Sequence, residues 1–201
     1  MILLATHNRD KAREFEGILG DLGIELLTLD AFPLVGPIQE DGLTLEENAL
    51  KKAVEVQRQT GLPSLADDTG LEVSYLNDAP GVYSSRFAGP GASYADNVQK
   101  LLASLRGVPP RRRGARFRTV LAFVPAPGQH ELAEGTVHGV ITESARGAGG
   151  FGYDPVFLPD GFTETFAEMT MQTKNSISHR ARAGARMKDI LKKHLMTQAP
   201  R

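Results

Sequence analysis

The chain has 201 residues, which is enough for one large domain or two closely joined lobes with a substantial hydrophobic core. Its 23 lysines and arginines nearly balance its 24 aspartates and glutamates, so the net charge of −1 gives no general attraction to nucleic acid or membranes. The absence of cysteine excludes disulfides and cysteine nucleophiles, and any metal must have oxygen or nitrogen ligands. No apolar run approaches the roughly 18 residues of a membrane span, and the N-terminal run is too short for a signal peptide. We therefore predict a cytoplasmic protein.

The first predicted strand, residues 2–5, leads into a polar turn and then an amphipathic helix. The turn consists of Thr6, His7, Asn8, Arg9, Asp10 and Lys11. The unpaired N–H groups and the dipole at a helix start favour an anion, and Lys11 adds a positive charge. The turn therefore predicts a phosphate site, although a simple helix cap by Thr6 or Asn8 explains the same pattern.

The next segments predict a strand over 25–29 and a loop that carries Glu40. The pattern Thr44-x-x-Glu47 is a capping box, so a helix should begin at Thr44 and end near Thr60. We place the polar side chains of this helix, including Asn48 and Lys52, on its exposed faces.

Two short apolar runs flank Asp67, Asp68, Thr69 and Gly70. We interpret this stretch as a strand that ends in acidic residues, followed by a glycine turn, an arrangement that commonly presents carboxylates at a cleft. An ordinary β-turn with aspartate as turn former is the alternative. Adjacent side chains on an extended backbone point to opposite faces, so Asp67 and Asp68 should have different roles.

A helix is predicted over 93–106, and paired antiparallel strands over 115–124 and 131–141. The arginine-rich patch at 111–118 could bind a polyanion, but the near-neutral total charge favours a charged entry into the strand.

The glycine run at 147–152 matches G-x-G-x-x-G, but no helix follows it, so it is not a dinucleotide fingerprint. We interpret Phe151, Gly152, Tyr153 and Asp154 as an ordered turn. Aromatic rings beside a carboxylate suit a stacked nucleobase, and two core aromatic residues near a turn are the alternative.

The C-terminal region concentrates cationic donors at a helix start: Lys174, His179 and Arg180. Ser178 is the predicted N-cap, and the helix should extend to about Leu195. A single histidine is more often structural, but histidine beside arginine at a helix start favours a functional role. With the phosphate turn and the carboxylates, these donors indicate a site for a nucleoside triphosphate and Mg²⁺, which prefers oxygen ligands.

Six blocks carry a resemblance to a known family. They are Leu4–Lys11, Gly42–Ala49, Ala66–Leu71, Ala79–Arg86, Gly150–Pro155 and Ser178–Arg180. In these blocks the chain resembles the Ham1/RdgB-like nucleoside triphosphate pyrophosphatases, also called inosine triphosphatases or dITP/XTP diphosphatases. The resemblance implies Mg²⁺-dependent hydrolysis of ITP, dITP and XTP to the monophosphate and pyrophosphate, which cleanses the nucleotide pool.

The resemblance also implies residue roles. Thr6, Asn8 and Lys11 would bind the phosphates together with Lys52. The substrate would also be contacted by the rest of this turn (His7, Arg9 and Asp10) and by Thr69. Glu40 and Asp68 would be the metal ligands, with Asp68 as general base and Asp67 assisting. The nucleoside end would be bound by Phe151, Gly152, Tyr153, Asp154, Lys174, His179 and Arg180.

The family fold implies one α/β domain over 1–201, elongated, with a long mixed sheet flanked by helices and two lobes around a nucleotide cleft, in a homodimer. His7 replaces a small residue that is common in the family, and Thr69 replaces a frequent serine. A Maf-like pyrophosphatase and a nucleotide-binding module without turnover are the competing hypotheses. A haloacid-dehalogenase phosphatase would need Asp-x-Asp-x-Thr, which Asp67-Asp68-Thr69 does not match.

Overall fold

The computed structural model describes residues 1–198 and confirms the predicted α/β class. Over these residues the chain forms five α-helices and a seven-stranded mixed sheet. The helices are α1 (Arg9–Leu19), α2 (Leu45–Thr60), α3 (Tyr94–Ser104), α4 (Met171–Ile177) and α5 (His179–Gln198). The strands are β1 (Ile2–Leu4), β2 (Leu26–Thr28), β3 (Ser64–Val73), β4 (Pro80–Gly81), β5 (Gly114–Val124), β6 (Glu131–Ile141) and β7 (Phe157–Pro159). None of the helices within 1–198 has the length and apolar character needed to cross a membrane.

The strands follow the order β2-β1-β3-β5-β6-β7, and β4 pairs with β3 outside this path. Strand β1 is parallel to both β2 and β3, with Leu3 opposite Ser64. Strands β4 and β7 are antiparallel to β3 and β6, respectively. The sheet is therefore mixed, as predicted.

The described chain divides into two compact units. The first contains residues 1–68, 119–135 and 180–198, and the second contains 69–118 and 136–179. The predicted arrangement of two lobes around a nucleotide cleft stays a prediction.

The core of the first unit is formed by the apolar faces of α1 and α5 and by strand residues. Phe15, Ile18 and Leu19 of α1 cluster with Leu121 and Phe123 of β5. Residues of α5 join the same cluster: Ala183, Met187 and Leu191. The predicted amphipathic character of α1 is therefore confirmed, and burying one apolar face is the main stabilisation of such a surface helix.

An aromatic cluster forms much of the core of the second unit. The Phe117 ring lies 4.7 Å from the Phe157 ring and 6.1 Å from the Phe166 ring, measured between centroids. Leu101 of α3 and Leu105, which directly follows this helix, pack into the same core. The helix predicted over 93–106 is therefore confirmed, as α3 over Tyr94–Ser104.

The predicted turn within the Asp-Asp stretch is wrong, because β3 continues through Asp67, Asp68 and Gly70 to Val73. Gly70 does not form a turn and instead allows two strands to approach each other closely. A Cβ atom there would lie 2.8 Å from the carbonyl oxygen of Gly81 on the antiparallel neighbour β4. Both carboxylates therefore project from the interior of a strand, where a hydrogen-bonded sheet holds the backbone rigidly.

Helix α4 is absent from the predicted elements. Its N-cap is Thr170, whose hydroxyl accepts a hydrogen bond from Thr173 N at 3.1 Å. Ser178 ends α4 in an extended conformation, immediately before His179 begins α5. The short helix fixes Lys174 near the start of α5.

Candidate active site

The turn after β1 is organised by its own side chains. Asn8 is the N-cap of α1, and its Oδ1 accepts from Asp10 N at 3.0 Å and from Lys11 N at 3.2 Å. Thr6 Oγ1 accepts from Asn8 N at 3.1 Å. The cap interpretation of Asn8 is thus confirmed, and the phosphate role of Thr6 and Asn8 stays a prediction.

The remaining side chains of this turn lie closer to solvent. His7 is exposed. Arg9 and Asp10 form surface ion pairs, Arg9 with Asp30 at 3.5 Å and Asp10 with Arg13 at 3.8 Å. Exposed ion pairs of this kind are weak. Both side chains are therefore held only loosely and are available at the surface near the helix start.

Lys11 turns inward to a buried carboxylate. Its Nζ lies 3.0 Å from Asp67 Oδ2, and the same oxygen lies 3.3 Å from the Arg180 guanidinium. The other guanidinium amino group of Arg180 pairs with Glu14 of α1. Asp67, Glu14 and Arg180 are all buried. The structure therefore brings Lys11, Asp67 and Arg180 together, and it adds Glu14.

The charges around Asp67 set its protonation. Burial by itself raises the pKa of the Asp67 carboxyl. The positive charges of Lys11 and Arg180 and, less strongly, Lys52 outweigh burial and hold this pKa well below its usual range. Asp67 is therefore an ionised carboxylate at neutral pH.

Lys52 joins α2 to β3 and to Glu40. Its Nζ lies 2.5 Å from Glu40 Oε1, 2.5 Å from the Asp67 carbonyl oxygen and 3.7 Å from Asp68 Oδ1. The expectation that Lys52 and Asn48 lie on exposed faces of α2 is wrong, because both are buried. Asn48 Oδ1 instead accepts from the amide of Gly42 at 2.8 Å, which fastens the loop after Glu40 to the helix.

Burial and neighbouring charges have opposing effects on the pKa values of Lys52 and Asp68. Burial lowers the pKa of Lys52, but the carboxylates of Asp67, Asp68 and Glu40 together raise it above its ordinary value, so Lys52 is a cation. For Asp68, burial and the negative charges of Glu40 and Asp67 outweigh Lys52 and Lys11. The pKa of Asp68 is therefore raised. The pKa values of the two adjacent aspartates therefore shift in opposite directions, because Arg180 acts on Asp67 and the negative charge of Glu40 acts on Asp68.

The carboxylates near Lys52 suit a magnesium ion. Within residues 1–198, no group of three or more histidines and acidic residues has metal-binding geometry. Mg²⁺ needs only one or two protein carboxylates when waters and substrate phosphates complete its shell. The side chain of Glu40 is 31% exposed, so one carboxylate of the Glu40–Asp68 pair is open to solvent. The donor set therefore fits Mg²⁺.

In the second unit, the predicted aromatic turn is held by Asp154. Its Oδ2 accepts from Phe151 N at 2.9 Å and pairs with Lys174 Nζ at 2.5 Å. Gly150 has a φ of +66°, and a Cβ there would overlap this carboxylate, so the turn needs a glycine before Phe151. The structure brings Phe151, Asp154 and Lys174 together.

Tyr153 and His179 are core residues by position. The hydroxyl of Tyr153 donates to the Ser84 carbonyl at 2.9 Å, and burial raises the pKa of Tyr153. The His179 ring stacks on Phe117 with centroids 4.5 Å apart and planes 16° apart. For Tyr153 the core-aromatic alternative is confirmed. The nucleoside contacts of Tyr153, His179 and Gly152, and the substrate contact of Thr69 on β3, stay predictions.

Glu14 is the residue of this site that the sequence interpretation missed. It lies three residues after Lys11 on α1, and residues three apart share a helix face. A buried glutamate on the stripe of Phe15 and Ile18 needs a cation, and Arg180 provides it. The spacing could therefore have indicated that Glu14 is buried. Its partner Arg180 lies 166 positions away in the chain, so the spacing does not identify it.

The sequence and the structure are similar to those of known proteins. The sequence model of the Ham1 family matches residues 2–190. A dITP/XTP pyrophosphatase from Geobacter sulfurreducens is 47% identical over 190 residues, covering 94% of this chain and 96% of the relative. A dITP/XTP pyrophosphatase from Elusimicrobium minutum is 50% identical over 186 residues, covering 90% and 94%. The solved structure of a HAM1 protein from Coxiella burnetii has a TM-score of 0.87 at 40% identity, covering 96% of this chain and 98% of that one.

Proposed function

Since the chain belongs to the Ham1 family, we propose that it hydrolyses non-canonical purine nucleoside triphosphates (dITP, ITP and XTP) to the nucleoside monophosphate and pyrophosphate. The relatives from Geobacter sulfurreducens and Elusimicrobium minutum are dITP/XTP pyrophosphatases, and the chain covers nearly their full length. The reaction keeps deaminated purines out of DNA and RNA.

The observation that carries most of this proposal is the contact of Lys52 with Glu40, Asp68 and the β3 backbone. A protein that only binds nucleotides needs a cation for the phosphates. It does not need a buried carboxylate with a raised pKa beside that cation. The cluster therefore favours turnover over a binding module.

The phosphates bind at the start of α1 in this proposal. Lys11 and Lys52 are the cations, and Thr6 and Asn8 lie at the helix start, where the dipole favours an anion. His7 is exposed on the same turn and adds a hydrogen-bond donor. Arg9 and Asp10 flank the turn at the surface.

Asp68 acts as general base. Its carboxylate takes a proton from the attacking water as the water oxygen bonds to the α-phosphorus and the bond to pyrophosphate breaks. The raised pKa suits this role, because a base is most effective when its pKa approaches the working pH. Asp67 stays ionised between its cations and assists by holding Lys11 in place.

Glu40 and Asp68 would hold Mg²⁺. When bound, this ion neutralises phosphate charge and lowers the pKa of a coordinated water. Lys52 pairs with Glu40 at 2.5 Å, and it orients the Asp68 carboxylate, whose Oδ1 lies 3.7 Å away.

The nucleoside end binds at the turn formed by Phe151, Gly152, Tyr153 and Asp154. The half-buried Phe151 ring offers a stacking surface, and Lys174 and Asp154 offer polar contacts. His179 or Arg180 donates to the 6-keto oxygen of hypoxanthine or xanthine. Adenine carries an amino group there, and a site built for one partner strongly rejects an analogue that leaves that partner unpaired.

The assembly and the location of the protein are part of the same proposal. We propose a homodimer, which analytical ultracentrifugation tests, and a cytoplasmic location with the nucleotide pool, which cell fractionation tests. Nucleic acid is not a proposed partner. Arg113 is buried and donates to the carbonyls of Leu105, Ile141 and Thr142, so the arginine patch is partly structural.

A substrate panel with product identification tests the activity. We expect Mg²⁺-dependent release of pyrophosphate from ITP, dITP and XTP, much faster than from ATP or GTP, and loss of turnover with EDTA. Orthophosphate as the direct product contradicts the pyrophosphatase reaction. Equal rates on ATP contradict the selectivity, and a preference for pyrimidine triphosphates would favour a Maf-like enzyme.

A further inference from the structure

Tyr94 is a half-exposed aromatic residue at the start of a helix. It is the first residue of α3 and is 44% exposed. The start of this helix is fixed without it, because Ser93 and Asp96 form a reciprocal capping box. The helix therefore does not need an aromatic side chain at this position.

The Tyr94 ring contacts Phe151. The two ring centroids lie 5.9 Å apart, with an angle of 43° between the planes. This separation is within the range in which aromatic pairs attract each other. Lys174 Nζ lies 4.9 Å from the centroid of the same Phe151 ring, a cation–π distance.

The backbone of Phe151 is fixed independently of its ring. Its amide donates to Asp154 Oδ2, and Gly149 N donates to the carbonyl of Ala167 at 3.0 Å. These hydrogen bonds fix the backbone and do not set the side-chain torsions of Phe151. The ring contacts therefore decide where the ring lies, and Tyr94 provides one of them.

We propose that Tyr94 is a positioning residue for nucleobase binding, which holds the Phe151 ring in the orientation that stacks on the base. This role rests on the proposed function of the Phe151 turn. The aromatic ring of Tyr94 is what matters, so phenylalanine should replace it. The contact affects binding of the nucleoside end and leaves the phosphate chemistry unchanged.

The test compares Tyr94→Ala and Tyr94→Phe with the wild type in steady-state hydrolysis of ITP and in binding of inosine monophosphate by calorimetry. Tyr75→Ala is the matched control. Tyr75 lies in the same unit, is 41% exposed and is covered by the Arg112 guanidinium at 4.8 Å. Thermal unfolding verifies that each variant is folded.

For Tyr94→Ala we expect the KM for ITP and the Kd for inosine monophosphate to rise about two- to tenfold, the size of an aromatic pair contribution. The kcat and the inhibition constant of pyrophosphate should not change. Tyr94→Phe and Tyr75→Ala should match the wild type.

The possible failures are distinct. A wild-type protein that neither hydrolyses ITP nor binds inosine monophosphate overturns the proposed function and this inference with it. An active wild type together with unchanged KM and Kd in Tyr94→Ala overturns this inference alone. A defect in Tyr94→Phe equal to that of Tyr94→Ala assigns the effect to the hydroxyl and also overturns the ring contact.

Discussion

Lys11 Nζ lies 3.0 Å from Asp67 Oδ2, and this ion pair joins helix α1 to strand β3. The carboxylate is shared with Arg180 at 3.3 Å, and Arg180 also pairs with Glu14. Two acids and two cations therefore alternate in the first unit. Removing one member of a buried pair leaves its neighbour without a counter-charge, which is strongly destabilising.

Glu14→Gln should lower the free energy of unfolding by about 3 kcal/mol. This is the lower end of the range for a broken buried ion pair, because Arg180 still has Asp67 as a counter-charge. Urea denaturation measures this change. Glu16→Gln is the matched control, because Glu16 is exposed on the same helix, and it should stay within about 0.5 kcal/mol of the wild type. Equal stability of both variants would show that Glu14 is not needed to compensate Arg180.

The stability of the protein should decrease as pH falls through the acid range, partly because of Asp67. Its pKa lies below the usual value in the folded state, and an unfolded aspartate has a pKa of about 3.9. The unfolded chain therefore binds the proton more readily. The stabilisation is fully present above the unfolded pKa and is lost as pH falls toward the folded one.

Asp67→Asn removes this contribution, so its stability should be lower at neutral pH and should depend less on pH between about 5 and 2. Urea denaturation at a series of pH values in this range measures the slope. Asp189→Asn, an exposed position on α5, should retain the wild-type slope. A wild-type slope in Asp67→Asn would mean that another acid dominates.

Local patterns predicted the helices and strands well, because each depends on neighbours in the sequence. Thr44 caps α2 as predicted, with Oγ1 accepting from Glu47 N at 3.1 Å. The Glu47 carboxylate accepts from Leu43 N at 2.7 Å, one residue before the amide that a capping box would use. Such details change the helix start very little.

Features that depend on distant contacts were not predictable in the same way. Gly70 suggested a turn. Glycine is needed at this position because the carbonyl oxygen of Gly81 on the neighbouring strand lies too close for a Cβ atom. Lys52 has the pattern of a solvated helical lysine, yet it is buried against Glu40 and the β3 backbone. Hydrophobic periodicity predicts which face of a helix is buried, but it does not predict which charged groups the fold places against that helix.

Gly70→Ala should destabilise the protein by about 1–3 kcal/mol, the usual cost of a forced overlap in a packed region. The added Cβ would lie 2.8 Å from the Gly81 carbonyl oxygen, so β4 must move away from β3. Gly114→Ala on β5 is the control, because a Cβ there meets no atom within 4 Å. Urea denaturation compares the two, and equal stability would contradict a tight β3–β4 approach.

Asp68→Asn should lower kcat for pyrophosphate release from ITP by about 10²–10⁴-fold, the usual contribution of a general base. ITP binding should persist, because Lys11 and Lys52 remain to bind the phosphates. Steady-state kinetics and calorimetry with ITP measure the two effects separately. Asp41→Asn is the control, since Asp41 lies beside Glu40 but pairs with Lys51 in a more exposed contact at 2.5 Å. A near-normal kcat in Asp68→Asn would move the base to another group. A larger loss of kcat in Asp67→Asn, with folding retained, would identify Asp67 as the base. That result would contradict the expectation from the neighbouring cations, which hold the pKa of Asp67 low.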